Sequence, residues 1–258
     1  MSFDRGSGSA VLDWQSVATK RSGARIGSTV RYYPAVDSTN AVAAGQLAAS
    51  RDGTVIVADY QSAGRGRLGR HWLAAPGDSL LFTVMLAGTE PRWIVPMSAG
   101  LALVDALSLS GVDAQLKWPN DVLIDGHKCA GVLIEGRILD GTDWLLLGIG
   151  LNVRSSDPTL PAATYVDAHT RQPVAREDIF VDLLARLEWW LDQARVDSAR
   201  VREAWASRLR TLGEDVAVAT PTGTIRGVAD GVADDGALLL RLPDGSRAVI
   251  RAGDVMPA

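Results

Sequence analysis

The alternation of apolar and polar positions divides the chain into a long stretch that mixes strands with helices and a short final stretch of strands alone. Thr29 to Val36 (TVRYYPAV) has strand composition, and Asp37-Ser38-Thr39-Asn40 then supplies capping residues ahead of the alanine-rich Ala41 to Ser50. That order predicts strand, cap, helix. Thr54 to Tyr60 (TVIVADY) and Ser79 to Leu86 (SLLFTVML) are further strand candidates, joined by a Gly/Arg loop from Gln61 to Arg70. Trp93 to Leu109 has apolar residues at helical spacing and stops before Gly111.

From Gln115 to Val153 come three apolar runs, LKW-VLI, CAGVLIEGRIL and WLLLGIGLNV, separated by Asp125-Gly126 and Asp140-Gly141, dipeptides suited to tight hairpins. Glu177 to Arg210 has a helical pattern, with Ile179, Leu183, Leu184, Leu187, Trp190 and Leu191 at core spacing and a second helix from Ala199 onward; Trp189, Trp190 and Trp205 read as packing residues. Past Gly213, short strands broken by Thr222-Gly223, Asp235-Gly236 and Asp244-Gly245 predict a small all-β module. With no βα rhythm, the fold class is α+β: a mixed, mainly antiparallel sheet with flanking helices, followed by that module. The expected division is a tail and short helix (Leu12 to Lys20) over 1–28, a main domain over 29–211 and the β module over 212–258.

Composition narrows the function. The 258 residues can bury a full core, and a net charge of −4 argues against a general nucleic-acid binder, whose affinity comes from dense basic residues. No apolar run approaches the roughly 18 residues of a membrane span, and the start lacks a basic and apolar leader, so neither membrane nor export is expected, which points to the cytoplasm. The single cysteine, Cys129, rules out an internal disulfide framework and reads as a small buried hydrophobe. Of 26 basic residues only three are lysines: Lys20, Lys117 and Lys128.

The densest chemical signal is Gly64-Arg65-Gly66-Arg67-Leu68-Gly69-Arg70-His71-Trp72. It matches G-x-G-x-x-G literally, but a dinucleotide turn needs a helix opening at the third glycine, and Trp72 to Gly77 is loop-like. Two readings stay open: a loop whose glycines turn amides toward an anion while arginines bring charge, or a solvated basic loop. Lys117-Trp118-Pro119-Asn120-Asp121 places an ammonium, an amide and a carboxylate within five residues, and Lys128 follows across a hairpin. If the flanking runs pair, the two lysines converge; otherwise they are unrelated surface groups.

In order, Ser38-Thr39-Asn40, Gln61, GRGRLGRHW, KWPND, KCAGVLIE (Lys128 to Glu135) and GIGLNV (Gly148 to Val153) resemble the biotin protein ligases, over about residues 28 to 258. The resemblance implies a class II aminoacyl-tRNA synthetase-like catalytic domain of the biotin/lipoate ligase type and an SH3-like C-terminal β-barrel. It implies that ATP and Mg²⁺ serve to convert biotin to biotinyl-5′-AMP, which acylates a lysine of a biotin carboxyl carrier domain. It also implies roles. Ser38, Thr39, Asn40 and Gln61 would hold biotin; Arg65, Gly66 and Arg67 would close over the acyl group; Lys128 would contact both the carboxylate and the α-phosphate. Arg70, Trp72, Lys117, Asn120, Asp121 and Asn152 would lie on the nucleotide and metal side, with Asp121 at the metal and, beside Lys128 and Arg67, in the chemistry; Gly131 would be a further cofactor-binding residue. Leu68 departs from the basic residue common in the loop, and Cys129 from the usual aliphatic.

The chemistry suits these residue types. Bringing a carboxylate to a phosphate joins two anions, which fixed cations in a dry site favour, and the resulting mixed anhydride needs a lid against water. A lipoate or octanoate ligase or transferase would share the fold; the arginine loop and KWPND favour biotin. DNA binding is not expected, since 37 residues ahead of Ser38 are too few for a three-helix reader.

Overall fold

A computed structural model describes residues 11–88, 91–155 and 164–257. The expected polar tail over residues 1–10 lies outside the described residues.

The core of the molecule is a seven-stranded sheet in the order β1-β2-β3-β7-β6-β5-β4. Its strands are β1 (Val30–Tyr33), β2 (Thr54–Ala58), β3 (Ser79–Ala87), β4 (Gln115–Lys117), β5 (Asp121–Ile124), β6 (His127–Leu139) and β7 (Thr142–Asn152). Only β1 and β2 run parallel; the other pairs are antiparallel, and short hairpin connections require this of β4–β5, β5–β6 and β6–β7. At both expected hairpins the two central residues are left-handed, Asp125 (φ 49°) with Gly126 (φ 79°) and Asp140 (φ 49°) with Gly141 (φ 75°), the backbone that matches strand twist.

The LKW-VLI run is not one strand. Pro119 has no N–H to give a ladder, and the chain turns at Trp118–Asn120, through a cis Trp118–Pro119 bond, to fold β5 back onto β4. This inserts β5 between Lys117 and the strand that carries Lys128.

Side chains alternate across the sheet, and each face meets a different partner. Val55, Val57, Phe82, Val84, Leu147 and Ile149 join the large core. Above it lie α1 (Trp14–Lys20), α3 (Ile94–Leu109), α4 (Arg176–Val196) and α5 (Ser198–Ala206). α3 is buried on nearly every side, because it is held between the sheet and α4 and α5. Trp190 and Trp205 are buried as expected, whereas Trp189 is 42% exposed, packing edge-on against Trp190.

The opposite face carries a smaller cluster, Ile56, Met85, Trp144 and Leu146, under α2 (Thr39–Gly45). The helix predicted to reach Ser50 ends early and continues as a 3-10 turn over Leu47–Ala49. Ser38 occupies the N-cap position but makes no side-chain capping bond, which leaves its hydroxyl for other work.

Arg176, 2% exposed, ties the N-terminus of α4 to the strands by donating to Asp59 Oδ1 at 2.9 Å and to the Ser79 carbonyl at 3.3 Å. Asp59 also accepts from the Tyr32 hydroxyl at 2.6 Å. The final strands, β8 (Asp215–Thr220), β9 (Gly223–Val232), β10 (Leu238–Arg241), β11 (Arg247–Ile250) and β12 (Asp254–Pro257), form an antiparallel sheet in the order β11-β10-β9-β8-β12. Where a closed barrel was expected, the ladder among the described residues is open between β11 and β12.

Candidate active site

On β7, Trp144 and Leu146 fill the space beneath α2, and the next two residues on that face are Gly148 and Gly150. Across the ladder Gly150 faces Gly131 on β6. The missing side chains make a floor on which other groups lie: a Cβ at Gly148 would meet Asn40 Oδ1 at 2.5 Å, and one at Gly150 would meet Trp72 Cε2 at 2.6 Å.

At one end of this floor α2 and its neighbours set amides and hydroxyls. Thr39 donates to Gln61 Oε1 from its backbone N at 2.7 Å and from its hydroxyl at 3.1 Å. Thr83 Oγ1, on the floor strand β3, donates to Asn40 Oδ1 at 2.6 Å. That bond orients the amide, and Asn40 Nδ2 is a buried donor without a partner among the described residues. Trp72 Nε1 is another. Two buried donors aimed into one cavity call for acceptors that a ligand would bring.

The arginine loop covers the floor. Its backbone doubles back, with Gly66 N donating to Arg70 O at 2.7 Å and Trp72 N to Gly64 O at 2.9 Å. The tip is a 3-10 turn, Arg67–Gly69, in which Leu68 takes a left-handed φ of 55°. Arg65 reaches Glu135 at 3.0 Å and Ser38 Oγ at 3.4 Å; Arg67 donates to Asn120 Oδ1 at 3.1 Å and to Gly253 O at 3.3 Å; Arg70 pairs with Asp254. Burial holds the Arg67 guanidinium below its ordinary range, with Asp121 partly offsetting this and Arg70 adding to it. A cation so placed is short of counter-charge, and an arriving anion would supply it.

Lys128 owes its direction to a bulge. β5 and β6 pair Asp121 with Gly131 and Val122 with Ala130, then slip so that Leu123 faces Lys128. Cys129 is the extra residue, buried together with Ala130, so Lys128 emerges on the same face as Gly131, three residues on. Its ammonium lies 2.6 Å from Asp121 Oδ1 and 5.6 Å from the centre of the Trp72 ring. Lys128, Arg67 and Asp121 all line the one cavity, with Asn40 and Gln61 at its other end.

Comparisons with known proteins show the family. Residues 32–152 match the biotin/lipoate A/B protein ligase family and residues 211–256 the biotin protein ligase C terminal domain. The chain is 38% identical over 237 residues to the biotin–[acetyl-CoA-carboxylase] ligase of Paracoccus denitrificans, covering 85% of this chain and 96% of that one. The enzyme of that name from Mycobacterium tuberculosis is 33% identical, with 95% of each chain covered. The chain belongs to the biotin protein ligase family. Among solved structures, an Aquifex aeolicus biotin protein ligase in complex with biotin and ATP superposes with a TM-score of 0.77 at 28% identity, covering 88% of this chain and 97% of that one.

In this ligase most of the residues singled out from sequence line one cavity: Ser38, Thr39, Asn40, Gln61, Arg65, Gly66, Arg67, Arg70, Trp72, Asn120, Asp121, Lys128 and Gly131. Two do not. Lys117 sits on edge strand β4, one strand further out than β5, where it pairs with Asp121, the carboxylate that meets Lys128; it lines a separate groove with Arg210 and Glu214. Asn152, at the end of β7, accepts from Ser79 Oγ at 3.2 Å and donates to Thr164 O at 3.2 Å.

Sequence reasoning missed Gly148, Gly150, Thr83, Glu135 and Asp254. The two glycines carried a signal, since glycine inside an apolar strand marks a close approach. Asp254 carried none: it is brought to Arg70 from a strand 184 positions later. Cys129 is buried, and burial pushes its thiol up to about 12, which disfavours the thiolate that a nucleophile needs. Among the described residues no three His, Cys, Asp or Glu side chains gather as a metal cage. No helix among them is long and apolar enough to cross a membrane.

Proposed function

We propose that this chain activates biotin with ATP and transfers it to a lysine of a biotin carboxyl carrier domain, in the cytoplasm. The observation that carries this reading is that Arg67 and Lys128, from a loop and a bulged strand far apart in sequence, line one cavity whose far end offers a buried amide donor, Asn40 Nδ2, without a partner among the described residues. A biotin carboxylate oxygen attacks the α-phosphorus, and pyrophosphate leaves. Both reactants are anionic; Lys128 lies between them and Arg67 closes from above, so the approach of like charges is offset as the bound reactants and the lid displace water. Its compact ammonium suits that position better than a planar guanidinium.

Ser38, Thr39, Asn40 and Gln61 hold the ring system, and Arg70, Trp72 and Asn120 lie on the nucleotide side. Mg²⁺ would be held chiefly by phosphates and water with Asp121, and would add positive charge at the phosphates. The lid over the floor then keeps water from the mixed anhydride until an amine attacks the acyl carbon and AMP leaves. The division of labour is a catalytic domain over 29–211 and a companion module over 212–258.

The sheet edge offers the acceptor a landing place. β5 pairs with β6 only as far as Gly131, so from Leu133 to Leu139 the outer edge of β6 has no strand partner among the described residues, directly beside Arg65 and the lid. A carrier domain adding a strand there would bring its lysine to the cavity mouth.

Mass spectrometry of a biotin carrier domain after incubation with the chain, biotin, ATP and Mg²⁺ tests the proposal: one biotinyl addition at a lysine is expected. Scanning fluorimetry with biotin, lipoate and octanoate separates the related substrates, and stabilisation by lipoate alone would overturn the choice of biotin.

A further inference from the structure

The strand that carries Lys128 is held on one side by an arrangement outside the cavity. The last ladder pair between β6 and β7 is Ala130 with Leu151, so β7 offers the Lys128 carbonyl no partner. That carbonyl accepts instead from the backbone N–H of Thr164 at 2.9 Å. Thr164 is itself fixed: its carbonyl accepts from Asn152 Nδ2 at 3.2 Å, and its hydroxyl lies 2.8 Å from His169 Nε2. His169 Nδ1 in turn lies 3.2 Å from Asp125 Oδ2, in the turn three residues before Lys128.

These contacts close a ring that runs from Asp125 along the backbone to Lys128, across to Thr164, through its hydroxyl to His169, and back to Asp125. A carboxylate only accepts hydrogen bonds, so Nδ1 is the protonated nitrogen, and in the neutral imidazole Nε2 accepts the Thr164 hydroxyl. The ring encloses the entry turn of β6 and ends at Lys128, next to the bulge residue Cys129. The phase of that bulge decides which face of the sheet receives the Lys128 ammonium.

We propose that His169 is a positioning residue for Lys128, acting through Thr164 to fix the bulge in the phase that points the ammonium into the cavity. The proposal rests on the ligase reading for the role of Lys128. Neither His169, Thr164 nor Asp125 lines the cavity, so none is assigned contact with substrate. Biotin's ring system is held at the other end, by Asn40 and Gln61, and its affinity does not pass through this ring of contacts.

The test is biotin-dependent ATP–pyrophosphate exchange by four variants of the full chain. Thr164→Val replaces the hydroxyl by a methyl of the same shape, Thr164→Ser keeps it, His169→Ala removes the imidazole, and Thr164→Val/His169→Ala combines the losses. Thr164→Val and His169→Ala should each lower kcat about tenfold with the KM for biotin changed less than about twofold, because the interaction they disturb matters at the reacting end. Thr164→Ser should stay within about twofold of wild type, and the double variant should lose about tenfold and not about a hundredfold, since both changes break one chain of contacts. If His169→Ala fails to fold, the isosteric Val and Ser pair decides alone. Wild-type kcat in Thr164→Val, or multiplicative losses in the double variant, would overturn the proposal. A wild-type chain without any biotin-dependent exchange would instead sink the ligase reading, and the role of Lys128 with it.

Discussion

Lys128 Nζ lies 2.6 Å from Asp121 Oδ1 although Asp121 is paired not with Lys128 but with Gly131, three residues later. In a regular strand an offset of three puts side chains on opposite faces. The bulge at Cys129 reverses the alternation once, so the only lysine on the cavity meets the carboxylate there and not the core. The pair is partly open to solvent, with 37% of the lysine side chain and 21% of the aspartate side chain exposed, and contributes little to stability.

Lys128→Arg should therefore act on chemistry and not on folding. Pyrophosphate exchange should fall by about 100-fold, the scale of losing one well-placed charge donor. The melting temperature should move by less than about 4 °C, a shift worth about 1 kcal/mol in a chain of this size. Exchange near the wild-type rate would remove Lys128 from the assigned role.

Arg67 is held between Asn120 and the Gly253 carbonyl and is the only side chain of the loop shown reaching both. Arg67→Gly should unfasten the lid at that point and let biotinyl-AMP escape. Trapping of the released adenylate with an excess of a free amine should be faster than for wild type; an equal rate would separate Arg67 from retention of the intermediate.

Gly148→Ala should weaken biotin binding, because its Cβ would displace the Asn40 carboxamide that Thr83 holds in place. Calorimetric titration should show affinity reduced at least about tenfold, the scale of one misplaced buried hydrogen-bonding group. Unchanged affinity would place the biotin ring elsewhere on the floor.

The raised pKa of Cys129, about 12, gives a pH prediction. Its sign follows from burial, which disfavours the thiolate, so between pH 7 and 9 the folded chain should show no rapid labelling by a thiol-specific disulfide reagent, while the unfolded chain, with a thiol near its ordinary value, should label fully. Labelling of the native protein at the free-thiol rate would contradict the buried position.

Much of the architecture was readable in order along the chain. Hairpins at Asp125-Gly126 and Asp140-Gly141, helices α3 to α5, and the antiparallel character of the sheet all follow from local signals: left-handed turn residues, apolar spacing, and terminators such as Gly111. The arginine loop and the cap segment at Ser38 were visible as unusual chemistry because their residue types serve no packing purpose. The position of Lys117 was not legible, for an equally local reason. The run LKW-VLI looks continuous until Pro119 turns it, and one added strand carries Lys117 out to the sheet edge and a different groove.

What the sequence determined by itself was which segments become strands and helices, and which polar residues had no place in a core, since those depend on neighbours within a few positions. What only the tertiary structure decided was which of those polar residues meet. The bulge that turns Lys128 toward Asp121, the glycine floor under Trp72 and Asn40, and the reach of Asp254 to Arg70 depend on strand register and on packing between distant segments, and a pattern with a period of two or 3.6 residues carries no record of either.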